Sequence, residues 1–189
     1  MLETLSPDQW NDSTLCEGWR VREVVAHLTY SRSNTLLGLP TWLRHRKDID
    51  RAFTVFAKQC AQADDGVLLR RYRRAAESAY KPPKVTREIL WCDNVIHGLD
   101  IRRPMGLRYP GDKRSLARAA ERLTMMTWPS RTACRSEGLR FVATDIEWPF
   151  GAGPQITAPI EDILIAIAGR RVIDSELTGD GVAVLSQRQ

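Results

Sequence analysis

Amphipathic helical periodicity recurs along the chain as far as about residue 126 and then stops, which limits the fold to a helical bundle followed by something different. Val21, Val24, Val25 and Leu28 follow the i, i+3, i+4, i+7 spacing and predict a helix over Val21 to Tyr30. Phe53, Phe56, Ala57 and Cys60 share one side of a second helix, about Asp50 to Ala63. A third covers about Val67 to Tyr80 and is stopped by Lys81-Pro-Pro83; a fourth runs from about Val85 to Arg102 and ends at Pro104. Asp112 caps a fifth, to about Met126, stopped by Pro129. Between them, Ser6 to Trp10 reads as a turn or short helical start, Asn11 to Gly18 as a loop, and Leu36 to Pro40 as a break in the pattern.

Beyond residue 136 the texture changes. Leu139 to Asp145 alternates as a strand does, Pro149 to Pro154 is a glycine- and proline-rich turn, and Gln155 to Thr157 reads as a short returning strand. Pro159 starts a helix with Glu161 and Asp162 in its first turn; Ile160, Ile163, Leu164 and Ile167 form its buried stripe, and Gly169 ends it. Gly179-Asp-Gly181 is expected to turn into a final strand, Val182 to Leu185. The expected division is a helical bundle over 1–136 and a small ββαβ unit over 137–189, too small for a large core and expected to dock on the bundle.

The fourth helix carries an anomaly. At 100° per residue, Ile89, Cys92, Ile96 and Leu99 define an apolar arc with Leu90 at its far edge. Asp93, His97 and Asp100 fall inside the gap between Ile89 and Leu90, away from the polar face of Asn94 and Gly98. Burying a carboxylate beside an imidazole is unfavourable unless something pairs with them. A divalent metal is one solution, and one helical turn is a ligand spacing that metal sites use. A buried Asp–His hydrogen bond without metal is the other. His27 lies on the flank of the first helix's stripe, where it can reach a neighbouring helix, whereas His45, inside Leu43-Arg-His-Arg-Lys47, reads as a solvated surface histidine. His27, Asp93 and His97 together make a set of two histidines and one carboxylate, with room for a fourth ligand from water or substrate.

Composition narrows the classes. The 189 residues are 43% hydrophobic and 27% charged, ordinary for a soluble globular protein. No apolar run approaches the ~20 residues of a membrane span, and the first residues lack the pattern of a signal peptide, so a cytoplasmic location is expected. Cys16, Cys60, Cys92 and Cys134 are widely spaced, which argues against a disulfide framework and a thiolate zinc site. Cys92 points about 100° away from Asp93 on the helix, in a packing position. The net charge of +5 is dominated by arginine, densest at Arg70-Arg71-Tyr72-Arg73-Arg74. A solvated helix face explains that run better than a nucleic-acid contact, since the aromatic-basic interleaving of an RNA-binding sheet is missing.

Trp10, then Leu15-Cys-Glu-Gly-Trp-Arg-Val-Arg-Glu-Val-Val-Ala-His-Leu28, then Asp93-Asn-Val-Ile-His-Gly-Leu-Asp-Ile-Arg-Arg-Pro-Met-Gly106, resembles the mycothiol-dependent maleylpyruvate isomerase family of the DinB-like superfamily of metal-binding four-helix bundles. The likeness continues through Gly138 to Asp145, Ala168-Gly-Arg170 and Leu177 to Val182, and so spans nearly the whole chain. The resemblance implies a mainly α, DinB-like helical bundle followed by a small α+β C-terminal unit. It also implies a divalent metal, usually zinc, on His27, Asp93 and His97, with mycothiol or a similar thiol as cofactor. Arg170 matches the family's C-terminal arginine for substrate or thiol binding. Two departures stand out. The acidic ligand is the shorter aspartate, Asp93, where the isomerase has glutamate. The first helix of the bundle is truncated, with nine residues before Trp10, so the resemblance implies a start upstream of Met1, a groove covered by another subunit in a homodimer, or, if neither holds, a bundle open on one side.

The leading functional expectation is therefore a metal-dependent enzyme using a low-molecular-weight thiol for S-transfer to, or isomerisation of, a small electrophilic substrate. Asp100, one turn past His97, either orients the metal site from behind or pairs with the Arg102-Arg103 neighbourhood. The alternatives are a metal-dependent hydrolase with water as the fourth ligand, and a non-enzymatic bundle that binds metal or a small ligand. A nucleic-acid or membrane partner is not expected.

Overall fold

The computed structural model describes residues 1–29, 36, 38–82, 85–127, 132–171 and 177–188, which form two compact units, Met1–Met105 and Gly106–Gln189. The first unit is helical. After two 3-10 turns, Leu2–Thr4 and Gln9–Asn11, come helices α1 (Val21–His27), α2 (Leu39–Arg44), α3 (Ile49–Cys60), α4 (Asp65–Glu77) and α5 (Arg87–Arg102). Helix α1 is the centre of this unit and touches α3, α4 and α5. Seven residues make a marginal helix in isolation, so packing has to hold it. Val21, Val24, Val25 and Ala26 are fully buried among Trp10, Trp19, Ala57, Leu68 and Ile101.

Polar contacts fix the start of α1 and both ends of α5, the helices that carry the histidines. The backbone N–H of Arg20 donates to Glu23 Oε2 at 2.8 Å, closing the start of α1. Arg22 donates from Nε to the Ala61 carbonyl and from Nη2 to the Ala63 carbonyl, both at 3.0 Å, which satisfies orphan carbonyls at the end of α3. Thr86 Oγ1 accepts from the Ile89 N–H at 3.1 Å and caps α5. The Leu15 N–H reaches the Asp100 carbonyl at 3.1 Å, tying the loop before α1 to the last turn of α5.

The second unit contains α6 (Lys113–Thr124), α7 (Ala133–Ser136), strands β1 (Arg140–Ala143), β2 (Pro149–Gly151) and β3 (Gln155–Ala158), then α8 (Ile160–Ile167) and α9 (Gly181–Ser186). The sheet order is β2-β1-β3, with β2 antiparallel and β3 parallel to the central β1. To pass from one sheet edge to the other, residues 152–154 cross below the start of β1. Gly151 (φ 77°) and Gly153 (φ 122°) allow this, because a Cβ at either would strike the carbonyl oxygen of Leu139 or Gly138. Phe141, Ile156, Ile160, Ile163, Leu164 and Ile167 form the fully buried centre.

Four expectations need correction. The contact boundary lies between Met105 and Gly106 rather than near residue 136, because α6 packs on α8 in the second unit. Pro149–Gly151 is a strand, not part of a turn. The final strand over Val182 to Leu185 is helix α9: Gly181 and Leu185 are buried four residues apart with Ala183 exposed between them, a helical period. Finally, α2 forms across the expected break, with Pro40 in its first turn, where the missing N–H costs nothing. Tyr30 and Pro129 lie outside the described residues. No described helix is long and apolar enough to cross a membrane.

Candidate metal centre

His27 is the last residue of α1, and Asp93, His97 and Asp100 occupy successive turns of α5. Packing of α1 on α5 brings the two imidazoles within 4.8 Å of each other, centroid to centroid, at 72°. Both histidines are buried, 8% and 7% exposed, deeper than the flank position inferred for His27. Asp93 lies between them: its Oδ2 is 3.2 Å from His27 Nε2 and its Oδ1 is 3.6 Å from His97 Nε2. Its side chain is 30% exposed, so the carboxylate is the solvent side of the group.

Asp100 sits on the opposite side of His97. Its Oδ2 is 2.8 Å from His97 Nδ1, and it is 1% exposed. A carboxylate only accepts, so the Nδ1 of a neutral His97 carries the proton and donates. The Nε2 lone pair is then left toward Asp93 and His27. That is the arrangement in which a buried carboxylate orients a metal-ligating imidazole and raises its basicity.

The donor set fits a small divalent ion. One atom each from His27, Asp93 and His97 lie mutually within 4.8 Å. Around a tetrahedral zinc with bonds of about 2.0–2.1 Å, neighbouring donors are about 3.4 Å apart. Each imidazole has one Asp93 oxygen near that separation, Oδ2 at 3.2 Å from His27 and Oδ1 at 3.6 Å from His97. Two carboxylates against two imidazoles also give the group the charge balance that a dication completes.

Aromatic rings wall this group. Trp19 stacks on His97 with centroids 5.9 Å apart and an 8° interplanar angle, and meets His27 edge-on at 5.1 Å. Phe53 of α3 meets His27 edge-on at 5.4 Å and is itself backed by Trp42 of α2 at 4.8 Å. Neither the Trp19 plate nor the Phe53–Trp42 wall was inferred from the sequence, because each comes from a separate segment with no periodic relation to α5.

Cys16 is a further addition. One donor atom each of Cys16, His97 and Asp100 also lie within 4.8 Å of one another, on the Asp100 side of the imidazole. The Leu15–Asp100 backbone bond explains how a loop cysteine comes there, and cysteine spacing held no sign of it. Cys92 is fully buried, as its packing position implied. Arg170 belongs to the second unit, just after α8, where its Nη1 donates to the Ala168 carbonyl at 3.2 Å. His45 is partly buried at the end of α2, less solvated than expected, and Arg70, Arg71, Arg73 and Arg74 lie on the exposed face of α4, with Arg73 paired to Glu3.

Residues 1–79 match the family described as the mycothiol maleylpyruvate isomerase N-terminal domain, a stretch that holds His27 but not Asp93 or His97. Two solved structures are similar in fold. One is the mycothiol-dependent maleylpyruvate isomerase, at 15% identity and a TM-score of 0.53. The other is a mutant form of it, at 16% identity and a TM-score of 0.58. Each likeness covers 95% of this chain and 85% of the other. No curated protein matches the chain. The expected mainly α fold with a small α+β C-terminal unit is thereby borne out, as is the family resemblance over residues 1–79.

Proposed function

We propose, from the match of residues 1–79 to the mycothiol maleylpyruvate isomerase N-terminal domain, that this chain is a divalent-metal-dependent enzyme that uses a low-molecular-weight thiol. Its reaction class is S-transfer to, or isomerisation of, a small electrophilic substrate in the cytoplasm. The observation that carries the metal assignment is the convergence of His27, Asp93 and His97, with His97 Nδ1 already engaged by Asp100. Zinc is the ion that this nitrogen and oxygen donor set suits best.

When bound, the ion would supply Lewis acidity toward a thiol at its open position, and the thiol a nucleophile able to add to an electrophilic carbon and leave it again. The protein's part is positional. Asp100 holds the proton on His97 Nδ1, so that Nε2 keeps its lone pair facing the site. Trp19 and Phe53 fix the imidazole planes and keep water from their faces. Asp93, the exposed member, marks the side from which substrate and thiol enter. Arg170 is assigned to substrate or thiol binding on the family likeness.

The test is turnover of a conjugated cis-enoic acid by zinc-loaded protein, with and without mycothiol. Thiol-dependent isomerisation that is lost in Asp93→Ala supports the assignment. Hydrolysis without thiol would replace it with the metal-dependent hydrolase. A second reading has an observation of its own: at 3.2 Å, His27 Nε2 and Asp93 Oδ2 also satisfy a hydrogen bond. In that case the bundle is a metal-free, non-enzymatic ligand binder, and neither activity is found.

A further inference from the structure

The first unit holds a cavity that the metal centre does not use. It has a volume of about 300 Å³ and lies between α4 and α5, walled by Tyr72, Tyr80, Trp91 and Leu28, with Arg87 and Asn94 among its polar residues. Its α5 wall is the stripe Arg87, Leu90, Trp91 and Asn94, at the spacing i, i+3, i+4, i+7. At 100° per residue this stripe faces roughly 100° away from the Asp93–His97–Asp100 stripe, so the cavity is a separate place on the same helix.

Its chemistry is one-sided. The walls are aromatic and aliphatic, and among the described residues no aspartate or glutamate lines it. The Tyr72 hydroxyl donates to Asn94 Oδ1 at 3.2 Å while Asn94 Nδ2 donates to the Leu90 carbonyl at 2.8 Å, so the amide is held by the protein. Burial pushes the Tyr72 phenol above its ordinary value, which keeps that hydroxyl neutral. Among the described residues, Arg87 is then the one charged residue of the lining. Among the described residues its guanidinium has no hydrogen-bond or ion-pair partner. Nor does α5 need a cation there, since a positive charge in the first turn of a helix opposes the macrodipole.

A planar guanidinium pairs best with a carboxylate, in bidentate fashion, and aromatic walls take a flat ring. The volume suits a ligand of one or two rings. We propose that this cavity binds a small aromatic carboxylate, with the ring against Trp91 and Tyr72 and the carboxylate on Arg87.

Calorimetric titration of metal-stripped protein with benzoate tests this apart from any metal chemistry, with benzylamine as the cationic control. The expected result is saturable one-to-one binding of benzoate and none of benzylamine. Arg87→Gln, an exposed change that leaves the core intact, is expected to weaken benzoate at least tenfold. Trp91→Leu is expected to weaken it as well. No benzoate binding at millimolar concentration, equal binding of benzylamine, or benzoate binding unchanged in Arg87→Gln would each overturn the assignment. Benzoate binding that appears only after zinc is restored would also overturn it, because the acid would then be sitting on the metal.

Discussion

Replacing Asp100 by asparagine isolates what the buried carboxylate behind His97 does. The side chain is 1% exposed and its Oδ2 lies 2.8 Å from His97 Nδ1. The shape is preserved, so packing changes little. A hydrogen bond to a charged group contributes roughly 1.5–3 kcal/mol and a neutral one roughly 0.5–1.5, so the charge alone is worth about 1–1.5 kcal/mol to the state in which His97 ligates. That is about a factor of ten in affinity, at ~1.4 kcal/mol per decade. A second effect acts in the same direction. An asparagine can turn its NH2 toward Nδ1, which puts the imidazole proton on Nε2 and removes the lone pair that a metal needs. Loss of carboxylate partners of this kind typically costs about 10–100-fold in metal affinity. The assay is competition for zinc against a chelating indicator, with circular dichroism to confirm that the helices persist. Zinc affinity within about twofold of the unsubstituted protein would refute the role assigned to Asp100.

Two further outcomes concern stability. Burial opposes ionisation of Glu23, but hydrogen bonds from the Arg20 side chain and backbone outweigh it and hold the carboxyl below its ordinary value of 4.5. A depressed folded-state pKa means that this stabilisation is complete above about 4.5 and is lost as pH falls through the lower folded value. The melting-temperature gap between the natural protein and Glu23→Gln should therefore shrink between about pH 6 and pH 3; a constant gap would contradict the linkage. In the second unit, Leu164 is fully buried in α8, and Leu164→Ala should cost about 2–5 kcal/mol in urea unfolding. A loss below about 1 kcal/mol would mean that this core is looser than its burial indicates.

Much of the candidate site was legible in the sequence because a helix has a fixed angular step. Asp93, His97 and Asp100 fall on one flank of α5 whatever else the chain does, and the valine stripe of α1 puts His27 beside it. What surrounds them was not legible. Trp19, Phe53 and Cys16 reach the histidines from a loop and a different helix, and only tertiary packing brings them there. The missed helix α2 has an instructive cause: Leu39 and Leu43 are exposed, 51% and 64%, so its apolar residues did not mark a buried face. The final strand failed because Val182 to Leu185 is a continuous apolar run too short to separate strand from helix. Here Gly181 decides the outcome. A Cβ there would lie 2.8 Å from Ile156 Cγ1 and 2.7 Å from the Pro154 carbonyl, so only glycine lets α9 begin against β3. The boundary misplaced at residue 136 followed from assigning α6 by its helical type, whereas its packing partner is α8.

The most direct test of the central claim is the metal content of the purified protein after supply of zinc and removal of the excess, with Asp93→Ala and His97→Ala beside it. The convergence of His27, Asp93 and His97 predicts about one equivalent of divalent metal in the unsubstituted protein and its loss in both variants, with the helical signal retained. Absence of bound metal in the unsubstituted protein, or equal metal in all three, would contradict it and leave Asp93 a hydrogen-bonded partner of His27.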